Sequence, residues 1–272
     1  MAAAAPLLLV GGGKMGEALL AGWLAGGLPA GEVHVVEPDA GRCRRLGADH
    51  GVRAVTGPAE LPPGLEPKVL VLAVKPQVMD EALPAYRERA AAGTLVLSIA
   101  AGKPIALFER AFGPGRPVVR AMPNTPAAVG RGTTVLCANA AADEAARGMA
   151  EDLMSAVGEI HWVEDEELMH AVTALSGGGP AYVFLLIEAL AAAGARAGLP
   201  AEMAARLARS TVTGSAELAR LSPAPPDQLR RDVTSPRGTT EAALRVLMAE
   251  DGLPALMERA IAAAAQRSRE LA

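Results

Sequence analysis

The chain is poor in the residues that most often carry metal, redox and acid–base chemistry. Its 272 residues hold two cysteines, Cys43 and Cys137, in unrelated contexts. They offer no metal or redox spacing and no disulfide framework, so no metal is expected and a reducing compartment fits. Four histidines, His34, His50, His161 and His170, fall in a strand, a loop approach, a strand and a helix. None stands beside a motif, and each reads as structural or surface. Lysine is confined to positions 14, 68, 75 and 103. Although 51% of residues are hydrophobic, no uncharged apolar run reaches the roughly 20 residues that cross a bilayer. The richest stretch, 182–199, is broken by Glu188 and Arg196. A net charge of −4 with no basic run gives no reason to expect nucleic acid. The apolar start lacks a preceding basic residue and runs into a glycine loop, so it reads as the first strand of a cytoplasmic protein.

What is present divides in two. Up to about residue 164, short β-branched runs alternate with helical patterns, which predicts parallel βαβ units. Strands are expected at 7–10, 33–37, 69–74, 94–99, 118–122, 133–138 and 159–163. Helices are expected at 14–25, 40–50, 78–91, 105–112 and 143–157. Strands then disappear, and 166–175, 181–197, 201–221 and 239–269 read as helices, the last interrupted near Gly252. The fold class is therefore α/β, a Rossmann-type doubly wound parallel sheet (1–164) followed by an all-helical domain (165–272). The wide apolar arcs of those helices predict burial against one another or a second subunit.

Gly11-Gly-Gly-Lys-Met-Gly16 follows the first strand and opens a helix. Gly11, Gly13 and Gly16 in G-x-G-x-x-G allow a tight turn, close approach to a pyrophosphate and close helix–strand packing; Lys14 and Met15 lie between them. Glu37 ends the second strand about 20 residues later, where an acidic group accepts the ribose hydroxyls of NAD. Arg42, Arg44 and Arg45 follow and suit the 2′-phosphate of NADP, so NADPH and NADH both remain open. Ligands of such sheets lie beyond the carboxyl ends of strands. That places Ala73, Val74, Lys75 and Pro76, then Ala100 and Ala101, at the cofactor. Two prolines stiffen the turn at Asn124, which is expected to present its amide to the nicotinamide.

Asp232-Val-Thr-Ser-Pro-Arg-Gly-Thr-Thr-Glu-Ala-Ala-Leu244 is a hydroxyl-rich loop that opens a late helix. Unpartnered N–H groups at a helix start can hold a carboxylate or phosphate; a plain helix cap is the alternative.

Taken together, these motifs resemble pyrroline-5-carboxylate reductase over nearly the whole chain. The marks are the glycine loop with Met15, the strand end at 73–77, and Arg120-Ala-Met-Pro-Asn-Thr-Pro126. More specific are Thr173-Ala-Leu-Ser-Gly-Gly-Gly-Pro-Ala-Tyr182 and the loop at 233–244. The resemblance implies hydride transfer from NADPH or NADH to a cyclic imine, giving L-proline, in a homodimer that often assembles further. It implies an active site built from the nucleotide domain of one subunit and helical elements of the dimer. Gly238, Thr239 and Thr240, in the loop with Ser235, would meet the substrate carboxylate. Thr173 would lie near the ring nitrogen, with Lys75 and Ala101 lining the cofactor; Thr173 and Lys75 are the candidate catalytic residues. The chain departs from the family in having Gly178 for a serine and Arg237 for a glycine. A left-handed arginine is costly, so the loop is expected either to avoid positive φ there or to shift.

A pyrroline nitrogen is largely protonated near neutral pH, so orientation and a carboxylate anchor matter more than a strong general acid. Glu166 lies about two helical turns before Thr173 and is a candidate to approach the iminium. The main alternative is a related imine or β-hydroxyacid dehydrogenase. A hydroxyacid enzyme wants a lysine early in its helical half, and none follows Lys103. A non-catalytic nucleotide-sensing dimer is the alternative of another class, but leaves the polar loops unexplained.

Overall fold

A computed structural model describes residues 4–271. Alternation begins with β1 (Leu7–Val10), α1 (Lys14–Ala25), β2 (Val33–Val36), α2 (Ala40–His50) and β3 (Arg53–Val55). It continues through β4 (Val69–Leu72), the short α3 (Met79–Ala82), β5 (Leu95–Ser98), α4 (Ile105–Phe112) and β6 (Val118–Met122). Next come β7 (Gly132–Ala138), α5 (Glu144–Ser155) and β8 (Gly158–Trp162). The helical part holds α6 (Leu168–Val172), a π-helical turn (Thr173–Gly177), α7 (Gly179–Arg196) and α8 (Ala201–Leu221). It closes with α9 (Pro226–Asp232), α10 (Thr239–Leu247) and α11 (Leu253–Glu270).

The eight strands order as β3-β2-β1-β4-β5-β6-β7-β8. β1 is the switch point, pairing in parallel with both β2 and β4. Strands buried on both faces must be apolar throughout, and Leu7-Leu-Leu-Val10 is. Leu7 and Leu9 join one core with Leu19, Leu20 and Trp23 of α1 and Leu153 of α5. Leu8 and Val10 face the other, with Met79, Tyr86, Phe108, Phe112 and Met169. The Trp23 indole N–H donates to the Leu153 carbonyl at 2.8 Å and ties α1 to α5.

Two expectations are corrected. The sheet is not wholly parallel: β6 and β7 pair antiparallel, because a short turn joins them and no crossover helix intervenes. The helix expected at 78–91 shrinks to α3 followed by 3-10 turns over Leu83–Arg89, since Pro84 cannot donate within an α-helix. By contact, the chain up to Gly177 forms one compact unit together with the residues from Ala264 onward, and 178–263 form the other. The reason is local. Met169 of α6 is buried in the second core, and the His170 Nδ1 and Ser268 Oγ lie 2.9 Å apart in a buried hydrogen bond.

In the second unit, α7 packs along α8 at small residues; a Cβ on Gly194 would lie 3.4 Å from that of Ala204. None of α7 is buried, and Phe184, Leu185 and Leu186 stand exposed on it.

Candidate active site

Gly11 sits at the end of β1 with φ 100°, its N–H bonded to the Val36 carbonyl at 2.8 Å. A Cβ there would lie 2.7 Å from the Ala73 carbonyl oxygen, so this position accepts only glycine. One on Gly16 would lie 2.2 Å from the Gly11 oxygen, which is how α1 packs against the strand end. Gly13 is different. It caps α1 with φ −68°, and a Cβ on it would meet nothing within 4 Å. Neither backbone conformation nor packing calls for glycine at 13. The N–H groups at the start of α1 have no partner within the helix, and this open space beside them suits a pyrophosphate. The cradle therefore fits a dinucleotide.

Beside it opens a slot of about 320 Å³, lined by Val10, Val36, Pro38, Val74, Val78 and Tyr86 among others. Its walls are the carboxyl ends of β1 and β2 and the segment after β4, and their largely apolar side chains suit a flat aromatic base. Burial pushes the Tyr86 phenol up to about 12, so it stays neutral.

Glu37, 6% exposed, follows β2 directly. Its Oε2 accepts the Gly12 N–H at 2.9 Å and its Oε1 the Asp39 N–H at 3.0 Å. The Arg42 guanidinium lies 3.5 Å from Oε1, while Arg44 and Arg45 are exposed. Asp39 caps α2 through a 2.7 Å bond from the Arg42 N–H, which holds its carboxyl below the usual range. Gly12 and Asp39 belong to this cluster and were missed in the sequence; Asp39 was legible as a helix N-cap.

Ile99 N–H bonds the Leu72 carbonyl at 3.1 Å, placing Ala100 and Ala101 next to Ala73 along the sheet edge. Lys75 caps the turn at Pro76–Val78 and is exposed at the tip beyond β4. The structure thus gathers Gly11, Gly13, Lys14, Met15, Gly16, Glu37, Arg42, Ala73, Val74, Lys75, Pro76, Ala100 and Ala101 along the carboxyl edge.

Asn124 is bonded within the protein. Its Oδ1 accepts the Thr133 N–H at 2.9 Å, and its Nδ2 donates to the carbonyl and hydroxyl oxygens of Ser176 at 3.3 Å. The amide is spent inside the protein, tying the π-helical turn to the start of β7. That turn carries Thr173, whose hydroxyl donates to the Met169 carbonyl at 2.7 Å. A Cβ on Gly177 would lie 2.3 Å from the Met122 Cε, so the turn lies close on the end of β6. π-Turns concentrate at functional sites because they re-aim side chains.

Glu166 is likewise bonded within the protein. Its Oε1 accepts from Arg120 Nη1 at 2.9 Å and from the Ile105 N–H at 2.8 Å. Pro104 precedes α4 without a side-chain cap, and Glu166 supplies one from outside. The carboxylate thereby pairs with a buried arginine.

In the second unit, the Gly238 N–H bonds the Ser235 carbonyl at 3.0 Å and closes a turn through Pro236 and Arg237. Arg237 takes φ 61°, the only non-glycine residue with positive φ among those described. The arginine thus takes the left-handed geometry despite its cost. Glu241 reaches back to accept the Arg237 N–H. Gly238 caps α10 with no side-chain bond, and Thr239 and Thr240 follow it, exposed.

The thiols are set aside from chemistry: burial pushes both Cys43 and Cys137 up. Among the described residues, no group of three or more His, Cys, Asp or Glu forms a metal site.

Residues 166–271 match the family model for pyrroline-5-carboxylate reductase dimerisation. Residues 7–102 match that for NADP oxidoreductase, coenzyme F420-dependent. A pyrroline-5-carboxylate reductase from Pseudomonas aeruginosa is 43% identical over 266 residues, 98% of this chain and 96% of the relative. One from Arabidopsis thaliana is 38% identical over 96% and 94%. The solved pyrroline-5-carboxylate reductase of Coxiella burnetii superposes with a TM-score of 0.91 at 36% identity, covering 99% of each chain. The Plasmodium falciparum enzyme, solved with NADP bound, gives 0.83 at 29% over 98% of each. The chain belongs to the pyrroline-5-carboxylate reductase family.

Proposed function

We propose that this protein reduces 1-pyrroline-5-carboxylate to L-proline with NADPH or NADH, as a cytoplasmic homodimer that assembles further. The observation that carries the reading is Gly13, a glycine that nothing in the protein requires, at the mouth of a dinucleotide cradle. When bound, the reduced nicotinamide supplies the hydride. This chain's residues then have two tasks, to hold the cofactor and to orient an electrophile that arrives already protonated.

The cofactor is held by the N–H groups at the start of α1, by Glu37, and by the strand ends at 73–76 and 100–101. Lys75 stands at the tip after β4 and offsets negative charge there. Thr173 has given its hydroxyl proton to the Met169 carbonyl, so its remaining capacity is to accept. A protonated pyrroline nitrogen is a donor, and the match favours the iminium. The first N–H groups of α10, at Thr239 and Thr240, hold the substrate carboxylate; Gly238, whose N–H closes the turn on Ser235, shapes the loop, with the Arg237 cation beside it.

The helical run Leu168–Arg196 is long and apolar enough to cross a membrane by length and composition. We read its exposed face as meeting a second copy, because these residues fall within the dimerisation match. The hydroxyacid dehydrogenase reading is not favoured, since no lysine follows Lys103.

Thr240→Ala and Gly238→Val test the substrate site. A Cβ on Gly238 would lie 3.0 Å from the Ser235 oxygen, so a branched side chain disturbs the turn. The imine KM should rise about tenfold or more while the cofactor Kd stays within about twofold. Loss of cofactor binding with an unchanged imine KM would refute the assignment.

A further inference from the structure

The cluster at the end of β2 bears on which nicotinamide the protein takes. Glu37 is buried and fixed, its two oxygens held by the Gly12 and Asp39 N–H groups at 2.9 and 3.0 Å. A carboxylate held by two backbone amides from different turns cannot swing aside. Each oxygen retains a lone pair, and a ribose 2′-hydroxyl has a proton to give it. A 2′-phosphate has none, and brings close to two negative charges instead.

The surroundings add to this. Asp39 lies two residues on, its carboxylate committed to the start of α2. Glu60 and Glu37 both act to raise the Cys43 thiol, so both carboxylates lie near the first turns of α2. Against these stands Arg42, whose guanidinium is already 3.5 Å from Glu37 Oε1. Arg44 and Arg45 point outward into solvent, where screening weakens them. The Glu37 carboxylate is thus fixed in place, and its nearest cation is already paired.

We infer that this reductase selects NADH over NADPH, and that the Glu37 carboxylate, held by Gly12 and Asp39 and paired with Arg42, is the discriminating group. The inference rests on the proposed nicotinamide-dependent reductase activity, but its test does not need turnover.

Titration of the full-length protein with NADH and with NADPH, followed by nicotinamide fluorescence without imine, gives both Kd values directly. The wild-type protein should bind NADH about tenfold or more tightly than NADPH. Glu37→Gln should narrow that ratio by about fivefold or more, mainly by tightening NADPH. Because glutamine can serve only one of the two amides, the Glu37→Gln protein is first checked by its melting curve. The wild-type ratio stands as a test on its own. Two results overturn the inference: wild-type NADPH binding equal to or tighter than NADH, or a ratio that Glu37→Gln leaves unchanged. A reversed ratio would leave the reductase assignment standing, while absent imine turnover would leave the ratio readable.

Discussion

Arg120 Nη1 and Glu166 Oε1 lie 2.9 Å apart, joining the sixth strand to the segment that precedes α6. The arginine is 2% exposed and its Nη2 has no hydrogen-bond partner among the described residues. Removing Glu166 would leave a buried charge without its counter-ion and α4 without its cap. Glu166→Ala should lower unfolding free energy by about 3 kcal/mol, read by urea denaturation. Below the melting range, the imine KM should stay within about twofold. A stable variant with a strongly raised KM would return Glu166 to the substrate.

Gly13 and Gly16 make a contrasting pair. Gly16→Val drives a side chain into the Gly11 backbone and should disrupt folding, whereas Gly13→Val enters open space. The Gly13 variant should melt like the wild type and bind cofactor at least about tenfold more weakly. Unchanged affinity, measured by nicotinamide fluorescence, would remove the cradle from the account.

Much of this was legible in the sequence, for identifiable reasons. The bounds of α1 and α2 follow from clean signals at each end, a glycine loop before Lys14 and Asp39 before Ala40. Strand direction left no trace, because side-chain period is the same in parallel and antiparallel pairs; hence the reversed β7. α9 was missed because Ser222-Pro-Ala-Pro-Pro226 looks like a turn, yet its last two prolines serve as N-cap and first helical residue. Asn124 and Glu166 were singled out as polar groups near the site. Their bonds to Thr133, Ser176, Arg120 and Ile105 span the fold, and no local pattern encodes them.

Asn124 gives a prediction of its own. Asn124→Ala leaves the Thr133 N–H without its acceptor and releases the turn that carries Thr173. We expect kcat to fall about tenfold with the cofactor Kd little changed. Equal losses in both would place the amide at the cofactor after all.

Arg237 carries strain that glycine would not. Arg237→Gly should stabilise the protein by about 1 kcal/mol, seen as a raised denaturation midpoint. A lower midpoint would mean that the arginine side chain contributes more than its backbone costs.

His170 sets an acid limit. Burial first, then Arg120, holds it below 6.5. The unfolded chain therefore takes up this proton first, and stability present above pH 6.5 is lost as pH falls through that value toward the folded pKa. His170→Asn should flatten the fall in melting temperature between about pH 7.5 and 5.5. His34, also lowered by burial, contributes the same sign in both proteins. An equally steep fall would assign the effect elsewhere.

The most direct measurement supplies the purified protein with 1-pyrroline-5-carboxylate and reduced nicotinamide, and follows cofactor oxidation and proline formation together. The account predicts one L-proline formed for each cofactor oxidised, and no oxidation without the imine. Nucleotide binding without any proline, with either NADH or NADPH, would contradict it.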